Sequence, residues 1–481
     1  MAGSLGPVAL MLVLLVGVVF AVLAWRWPFA SLAGFLLLLL VHEAGLRILQ
    51  GPVGLAASQV AVVSLWRMAA LLALLLVLCV RTAMEWRRER RRPQPEVVDY
   101  ILLALGILGA MATVLSPNRL AGLAAYRNYF QPVAIFFLAR MASPTRGQLR
   151  SLLIAWLALG VIMAAFGTYQ WLSWSKEDYR RNGYVLATGE LDIARVRGED
   201  GEIRVRPPST VSGPNEFGLH MAFLFLGAVQ WAWLARGKRR CLLALLAVLF
   251  AFGLAYSYSR SALLALLAGL ACLVVFAVSA EGREGMRRRL LRPRSLVLVA
   301  ALSVTLLAVM WSSGMMRRVA RTVQQLPQEY HVQDTLGAID FLVAHPLGPG
   351  MGLVGPREGA YFPKIKEYHV EGTLFQLAMD MSVVGLLMWL ALWWVALRRV
   401  WSAWRSARDP LLRLFNGLVF SAWIAALLTF LILPLMQSFS LMGWLWFFLG
   451  LSYTSQDVQR AWDGADARPR MAHDLALAVA G

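Results

Sequence analysis

Charge is scarce in this sequence, and acid is the scarcer sign. Only 15% of its 481 residues are Asp, Glu, Lys or Arg, against roughly a quarter in an ordinary soluble domain. Apolar residues fill the gap: they make up 59% of the chain, and the mean hydropathy is +0.62, which excludes a soluble globular protein. Cysteine is almost absent. The three present, Cys79, Cys241 and Cys272, lie in or beside apolar runs with no Cys-x-x-Cys, so no disulfide framework is indicated. His-Glu-x-x-His is missing too, and the sequence offers no metal site and implies no cofactor. Nor does it contain the alternating ten-residue segments of a membrane β-barrel.

What the chain does have is a succession of apolar runs of about 17 to 25 residues, each long enough to cross a ~30 Å hydrocarbon layer as a helix. They fall at 7–25, 29–46, 58–80, 98–115, 123–140, 151–172, 215–235, 240–257, 261–279, 295–311, 372–397, 412–433 and 437–453. The first lacks a basic leader and a small-residue cleavage site and reads as a retained helix. The least regular are 29–46, whose end holds His42, Glu43 and Arg47, and 123–140, which begins beside Arg127.

The net charge of +19 would suit a nucleic-acid binder, but its placement does not. Basic residues crowd the short connections 81–92, 236–240, 283–294 and 398–413, whereas the long segments 173–213 and 312–370 are close to neutral. This is the positive-inside pattern. Thirteen spans put every basic cluster on the cytoplasmic side, the N-terminus outside and the tail inside, with anionic lipid as a further partner of the clusters and no role for DNA or RNA.

Both long segments are on the outer side. The stretch 330–346 reads as an amphipathic helix halted by Pro346, and 347–356 as a tight glycine-rich turn. Without a preceding strand, its Gly348, Gly350 and Gly352 do not make a dinucleotide fingerprint.

Ionisable groups at membrane depth are costly and therefore candidates for function. Four stand on the outer side. Arg127 lies near the outer end of its span, Arg206 precedes Pro207-Pro208, Arg260 occupies a hairpin between two apolar runs, and His369 lies where the second long segment re-enters the membrane. Each also has an ordinary reading. Arg127 can snorkel to the interface, Arg260 can cap helix C-termini, and Arg206 can be a loop charge balanced by Glu199, Asp200 or Glu202. His369 can be a satisfied interfacial histidine, and Arg67 a partner in a helix pair. Together, arginine forks match phosphate oxygens and a near-neutral histidine can take a proton from a hydroxyl, a combination suited to a pyrophosphate leaving group and an alcohol nucleophile.

Four segments carry a family resemblance in order: SerThrValSerGlyProAsnGluPheGly (209–218), SerTyrSerArgSerAlaLeuLeuAlaLeu (257–266), AlaHisProLeuGlyProGlyMetGly (344–352) and the re-entry stretch 368–386. They resemble the O-antigen ligase and O-antigen polymerase family, over about 206–390. The apolar runs and charge placement imply an all-α polytopic membrane protein of about 12–13 transmembrane helices, with a large partly helical periplasmic loop between two late helices; the resemblance implies that it is GT-C-like. It implies a metal-independent inverting glycosyltransferase that moves a glycan from an undecaprenyl-pyrophosphate donor to a lipid, glycan or protein acceptor at the periplasmic face of the bacterial inner membrane. Arg127, Arg206 and Arg260 would hold the pyrophosphate, and Pro214, Asn215 and Gly350 would shape the motif backbone. The family's His-Asn or Asp-Asn pair stands here as His-Val-Glu, so His369 or Glu371 would be the acceptor base.

The implied organisation is N-terminal helices over 1–172, a periplasmic loop 173–214, central helices 215–311, a large periplasmic loop 312–371, C-terminal helices 372–454 and a cytoplasmic tail 455–481. Two rival classes remain: a transporter or flippase of lipid-linked sugars, which would show internal repeats and broken helices near the midplane, and a non-catalytic assembly protein for envelope polysaccharide.

Overall fold

With no water to take their hydrogen bonds, apolar segments of this length satisfy their backbone only as helices. The computed structural model describes residues 5–89, 95–185, 195–197, 203–290, 308, 311, 330–354, 370 and 372–464. Over these, α1 is Leu5–Arg26, α2 Pro28–Gln50, α3 Ala57–Ser64, α4 Trp66–Glu89, α5 Val97–Leu115, α6 Arg119–Met141 and α7 Arg146–Ser173. A one-and-a-half-turn helix, α8 (Lys176–Arg181), and a ribbon of β1 (Arg195–Arg197) and β2 (Ile203–Val205) follow. Then come α9 (Pro214–Leu234), α10 (Lys238–Tyr256), α11 (Arg260–Leu290), α12 (Tyr330–Ala344), α13 (Thr373–Ser406), α14 (Pro410–Thr429) and α15 (Phe439–Tyr453).

The starts are written in local chemistry. Pro28, Pro214 and Pro410 occupy the first helical turn of α2, α9 and α14, where a missing N–H costs nothing. Asn118 accepts from the Ala121 N–H, Thr145 from that of Gln148, and Asp409 from those of Leu411 and Leu412.

Eight described helical segments are long and apolar enough to cross a membrane: α2, α3 with α4 as one run, α5, α7, α9, α10, α13 and α14. The chain is thus an all-helical, multi-pass membrane protein, apart from a three-residue antiparallel ribbon pairing Val196 with Arg204. These eight are among the 12–13 expected. The expected spans 7–25, 261–279 and 437–453 correspond to α1, α11 and α15, whose apolar stretches among the described residues are Leu10–Arg26, Arg260–Phe276 and Phe439–Tyr453. The span 123–140 becomes α6, which has the length at 23 residues but, with Arg119, Arg127 and Arg140 in it, is not among the eight. The span 58–80 is divided at Leu65 into α3 and α4. Apart from Ala308 and Trp311, the expected span 295–311 lies outside the described residues, as do 312–329 of the large loop and 465–481 of the tail. The amphipathic helix expected over 330–346 is α12, ending at Ala344 ahead of Pro346.

The main core draws on α2, α6, α7, α9, α10, α13, α14 and α15. Trp389, Trp393, Trp423 and Trp446 are fully buried; Trp446 packs on Trp423 and Trp389 at centroid distances of 5.3 and 6.2 Å. At the end of the bundle bearing the C-terminus of α6, Arg140 pairs with Asp99 and Glu96, and Arg399 with Glu96 at 3.7 Å, tying α5, α6 and α13.

Small residues set how close the helices come. Within a bilayer, association rests on such packing because lipid tails are as apolar as leucine. A Cβ on Gly450 would run into the Phe136 carbonyl oxygen and approach Ala139 Cβ to 2.7 Å, so α15 can lie against α6 only with glycine there. Gly450→Val should therefore cost about 1–3 kcal/mol and lower the melting temperature in detergent, whereas Gly34→Ala, which meets nothing within 4 Å, should leave it unchanged. Thermal unfolding of the two variants side by side checks this.

Candidate functional site

The site begins where α9 starts. Gly213 has extended backbone, Pro214 sets the first turn, and Asn215 follows with its side-chain carbonyl directed back along the chain. Arg206 donates from Nη2 to Asn215 Oδ1 at 2.7 Å and from Nε to the Ser257 carbonyl at 3.0 Å. Two edges of the guanidinium are thereby set, and Arg206 is only 6% exposed. Ser257 closes α10, and three residues later Arg260 opens α11. The hairpin between is tight: Tyr258 has φ +52°, Ser259 N–H donates to Ser257 Oγ at 3.2 Å, and Ser259 Oγ accepts from Ala262 N–H at 3.3 Å. Gly218 permits the approach, because a Cβ there would meet Ser257 Oγ, Ser259 Cβ and Ala262 Cβ within 3 Å. The structure thus brings Arg206, Asn215 and the Arg260 hairpin into one place.

The segment before α9 is not the surface loop that its arginines and prolines suggest. Residues 205–211 are all buried. Ser209, at φ +55°, donates its N–H to the Gln170 side-chain oxygen at 2.8 Å and its Oγ–H to the Met163 carbonyl at 2.7 Å. Thr210 donates to the Leu40 carbonyl at 2.6 Å, and its own carbonyl accepts from Ala44 N–H at 3.2 Å. Met163 lies ten residues before the end of α7, about 15 Å along the helix, so the loop descends into the bundle. Pro207 and Pro208 bring no N–H to be satisfied, and Ser209 and Thr210 bring hydroxyls, which makes the descent affordable. A small cap sits over it: Trp174, Tyr179, Tyr184 and Val205 pack together, and Tyr184 donates to the Ser209 carbonyl at 3.4 Å. Burial against Tyr184 pushes the Tyr179 hydroxyl well above its ordinary pKa, so both phenols are neutral at any physiological pH.

No family model matches the chain, and no curated protein sequence matches it.

The other expected site residues are placed differently. Arg127 is exposed on α6 and donates to its neighbour Asn128 at 3.3 Å; no described interaction joins it to Arg206 or Arg260. Arg67 pairs with Glu43 at 3.9 Å across α4 and α2 and lies 5.8 Å over the Phe439 ring, as a helix-pair partner would. Gly350, at φ +115°, belongs to a turn that includes Gly348 and Gly352 at φ +72° and +78°. A Cβ on Gly348 would collide with the Met379 carbonyl, and one on Gly352 with that of Ala121, so the turn is wedged between α13 and the start of α6. His369 and Glu371 lie outside the described residues. Their neighbours Val370 and Gly372 are buried, and the Val370 carbonyl accepts from Gln376 Nε2 at 2.6 Å.

Two buried carboxylates escaped the sequence reading. Glu216, next to Asn215, accepts from Ser212 and from Ser440 on α15, with His220 Nε2 at 3.8 Å from Oε1. In the first turn of α9 an acid is ordinary, since the helix dipole favours one there. The four-residue spacings Ser212–Glu216 and Glu216–His220 were the available signal, while Ser440 has none. Asp380, on α13, accepts from Tyr129 Oη at 2.6 Å and from Gly352 N–H at 2.9 Å. Among the described residues, no three His, Cys, Asp or Glu gather as a metal site would require.

A buried hydrogen bond to a charged group is worth about 1.5–3 kcal/mol. A double-mutant cycle with Arg206→Leu and Asn215→Ala, read by denaturant unfolding in mixed micelles, should return a coupling of that order. The exposed Arg127–Asn128 pair should return under ~1 kcal/mol.

Proposed function

We propose that this chain is a glycan transferase of the inner membrane. It takes a glycan from an undecaprenyl-pyrophosphate donor and joins it to an acceptor hydroxyl at the periplasmic boundary. The observation that carries the reading is Arg206, buried in an apolar bundle, held on two edges by Asn215 and the Ser257 carbonyl, with Arg260 three residues from that carbonyl. An arginine taken out of water into an apolar bundle is costly, and a protein that keeps one buried in a set orientation has a use for its charge. The sequence segments that resemble the O-antigen ligase and polymerase family supply the chemistry to go with it.

In this reading the acceptor oxygen attacks the anomeric carbon from the face opposite the pyrophosphate. The new C–O bond forms as the bond from the anomeric carbon to the phosphate oxygen breaks, the hydroxyl proton passes to His369 or Glu371, and undecaprenyl pyrophosphate leaves. Negative charge grows on the leaving group, and Arg206 and Arg260 stabilise it there. Because their setting is built before substrate arrives, little reorganisation is needed during the reaction. Arg127 would assist from α6 only if substrate bridges to it.

A specific observation also favours a flippase. Helix α13 is interrupted at Met381 and Ser382, and discontinuous helices are characteristic of transporters. The interruption falls at the ninth and tenth residues of α13 and at no glycine or proline, which fits a boundary site better than a midplane one.

Arg260→Ala should abolish glycan transfer with membrane insertion intact; a variant that transfers normally removes the pyrophosphate role. In a strain deleted for the protein, lipid-linked glycan should accumulate on the outer leaflet, whereas accumulation on the inner leaflet would mean a flippase. The base is decided by a pair of variants. His369→Ala is expected to lower transfer by ~10²–10⁴-fold, and wild-type transfer in His369→Ala together with loss in Glu371→Gln would move the role to Glu371.

A further inference from the structure

We propose that Asp380 is a positioning residue, which sets the large outer loop against the transmembrane helices through Tyr129 and Gly352. Its consequence for transfer rests on the function proposed above; its geometry does not. The carboxylate is 2% exposed and lies one residue before the interruption of α13. One oxygen accepts from Tyr129 Oη on α6 at 2.6 Å, the other from Gly352 N–H in the glycine-rich turn at 2.9 Å. One side chain thus joins three parts of the chain remote in sequence.

The contacts around it are arranged to the same end. Ser116 Oγ, between α5 and α6, donates to the Met351 carbonyl at 2.9 Å, so the turn is held on its other flank. The Val383 N–H, left without a helical partner by the interruption, donates to the Pro346 carbonyl at 3.2 Å. Ser382 sits at φ +68°, a conformation that a serine adopts only when its surroundings impose it. Val354 and Val370 pack in one cluster with Met379 and Ala338. Val354 and Val370 therefore meet next to Met379, the neighbour of Asp380, and His369 and Glu371 flank Val370 in sequence. Losing the carboxylate would loosen the turn and, with it, the packing of Val354 and Val370 on Met379, next in sequence to the residues proposed above as the acceptor base. The Arg206 setting is built by other elements, α9 and the α10–α11 hairpin, and would persist.

The test uses the full chain in nanodiscs, with Asp380→Ala, Asp380→Asn and Tyr129→Phe. Amide hydrogen exchange reads the anchor without reference to activity. Exchange at Gly352 should quicken by about ten- to a hundredfold in Asp380→Ala, and by less in Asp380→Asn, whose carbonyl still accepts from Gly352. In transfer assays kcat should fall by a similar factor in Asp380→Ala while the donor KM stays within about threefold, with Asp380→Asn recovering part of the rate. Unchanged exchange overturns the anchor. Unchanged kcat, or a donor KM that rises in step with the loss, overturns the positioning role. If Asp380→Ala does not fold, the Asn and Phe variants carry the same comparison. If the wild-type protein transfers no glycan while Gly352 exchange still responds, the proposed function fails and the anchor stands as a structural one, so the positioning role falls.

Discussion

Backbone that leaves the helical path inside an apolar bundle must find partners for its N–H and C=O groups within the protein, since lipid offers none. Among the described residues this protein does so in four places. The descent before α9 is met by Gln170, the Met163 and Leu40 carbonyls and the Ala44 N–H. The interruption of α13 is met by the Pro346 carbonyl. The connection between α14 and α15 is met by Thr373, whose hydroxyl donates to the Leu433 carbonyl at 2.6 Å and accepts from Leu435 N–H at 2.9 Å. The glycine-rich turn is met by Ser116 and Asp380. Each irregular segment satisfies, or is satisfied by, an element distant in sequence, so no one of them is formed independently of the rest.

The same requirement governs the charges. Removing one partner of a buried charge typically costs 3–5 kcal/mol, because the other is left stranded. Arg206, Glu216 and Asp380 each sit among named hydrogen-bond partners that come from two separate segments of the chain. Those partners hold the polar groups in set orientations before any substrate is present, which is what electrostatic stabilisation of a leaving group demands. Asn215 and Glu216 are consecutive. The first orients Arg206 while the second ties α9 to α15, so the arginine's setting is continuous with the packing of the bundle.

Much of the architecture is legible in the residues. Long apolar runs give the helices, Pro214 and Pro410 mark where two of them begin, and the period of 330–344 gives α12. Gly348, Gly350 and Gly352 announce a turn, and all three have positive φ. The meeting of Arg206 with the Arg260 hairpin follows from no local pattern, although the resemblance groups the two, with Arg127, on one pyrophosphate. Arg127 has the composition of a site residue but faces outward on α6. Burial of 205–211 was illegible because hydropathy averages over side chains, whereas that segment is held by hydrogen bonds to backbone atoms of α2 and α7. The division at Leu65 and the interruption at Ser382 carry no glycine or proline to signal them.

The sequence by itself determined the solvent of this protein and its secondary structure, because both depend on side-chain hydrophobicity summed over twenty or so neighbouring residues. It also marked where polar groups stand against apolar runs. Only the tertiary structure decided which of those groups meet. Arg206 with Asn215 and Ser257, Glu216 with Ser440, and Asp380 with Tyr129 and Gly352 are pairings across 9 to 251 positions of chain, chosen by which helices pack together and how closely their glycines let them approach.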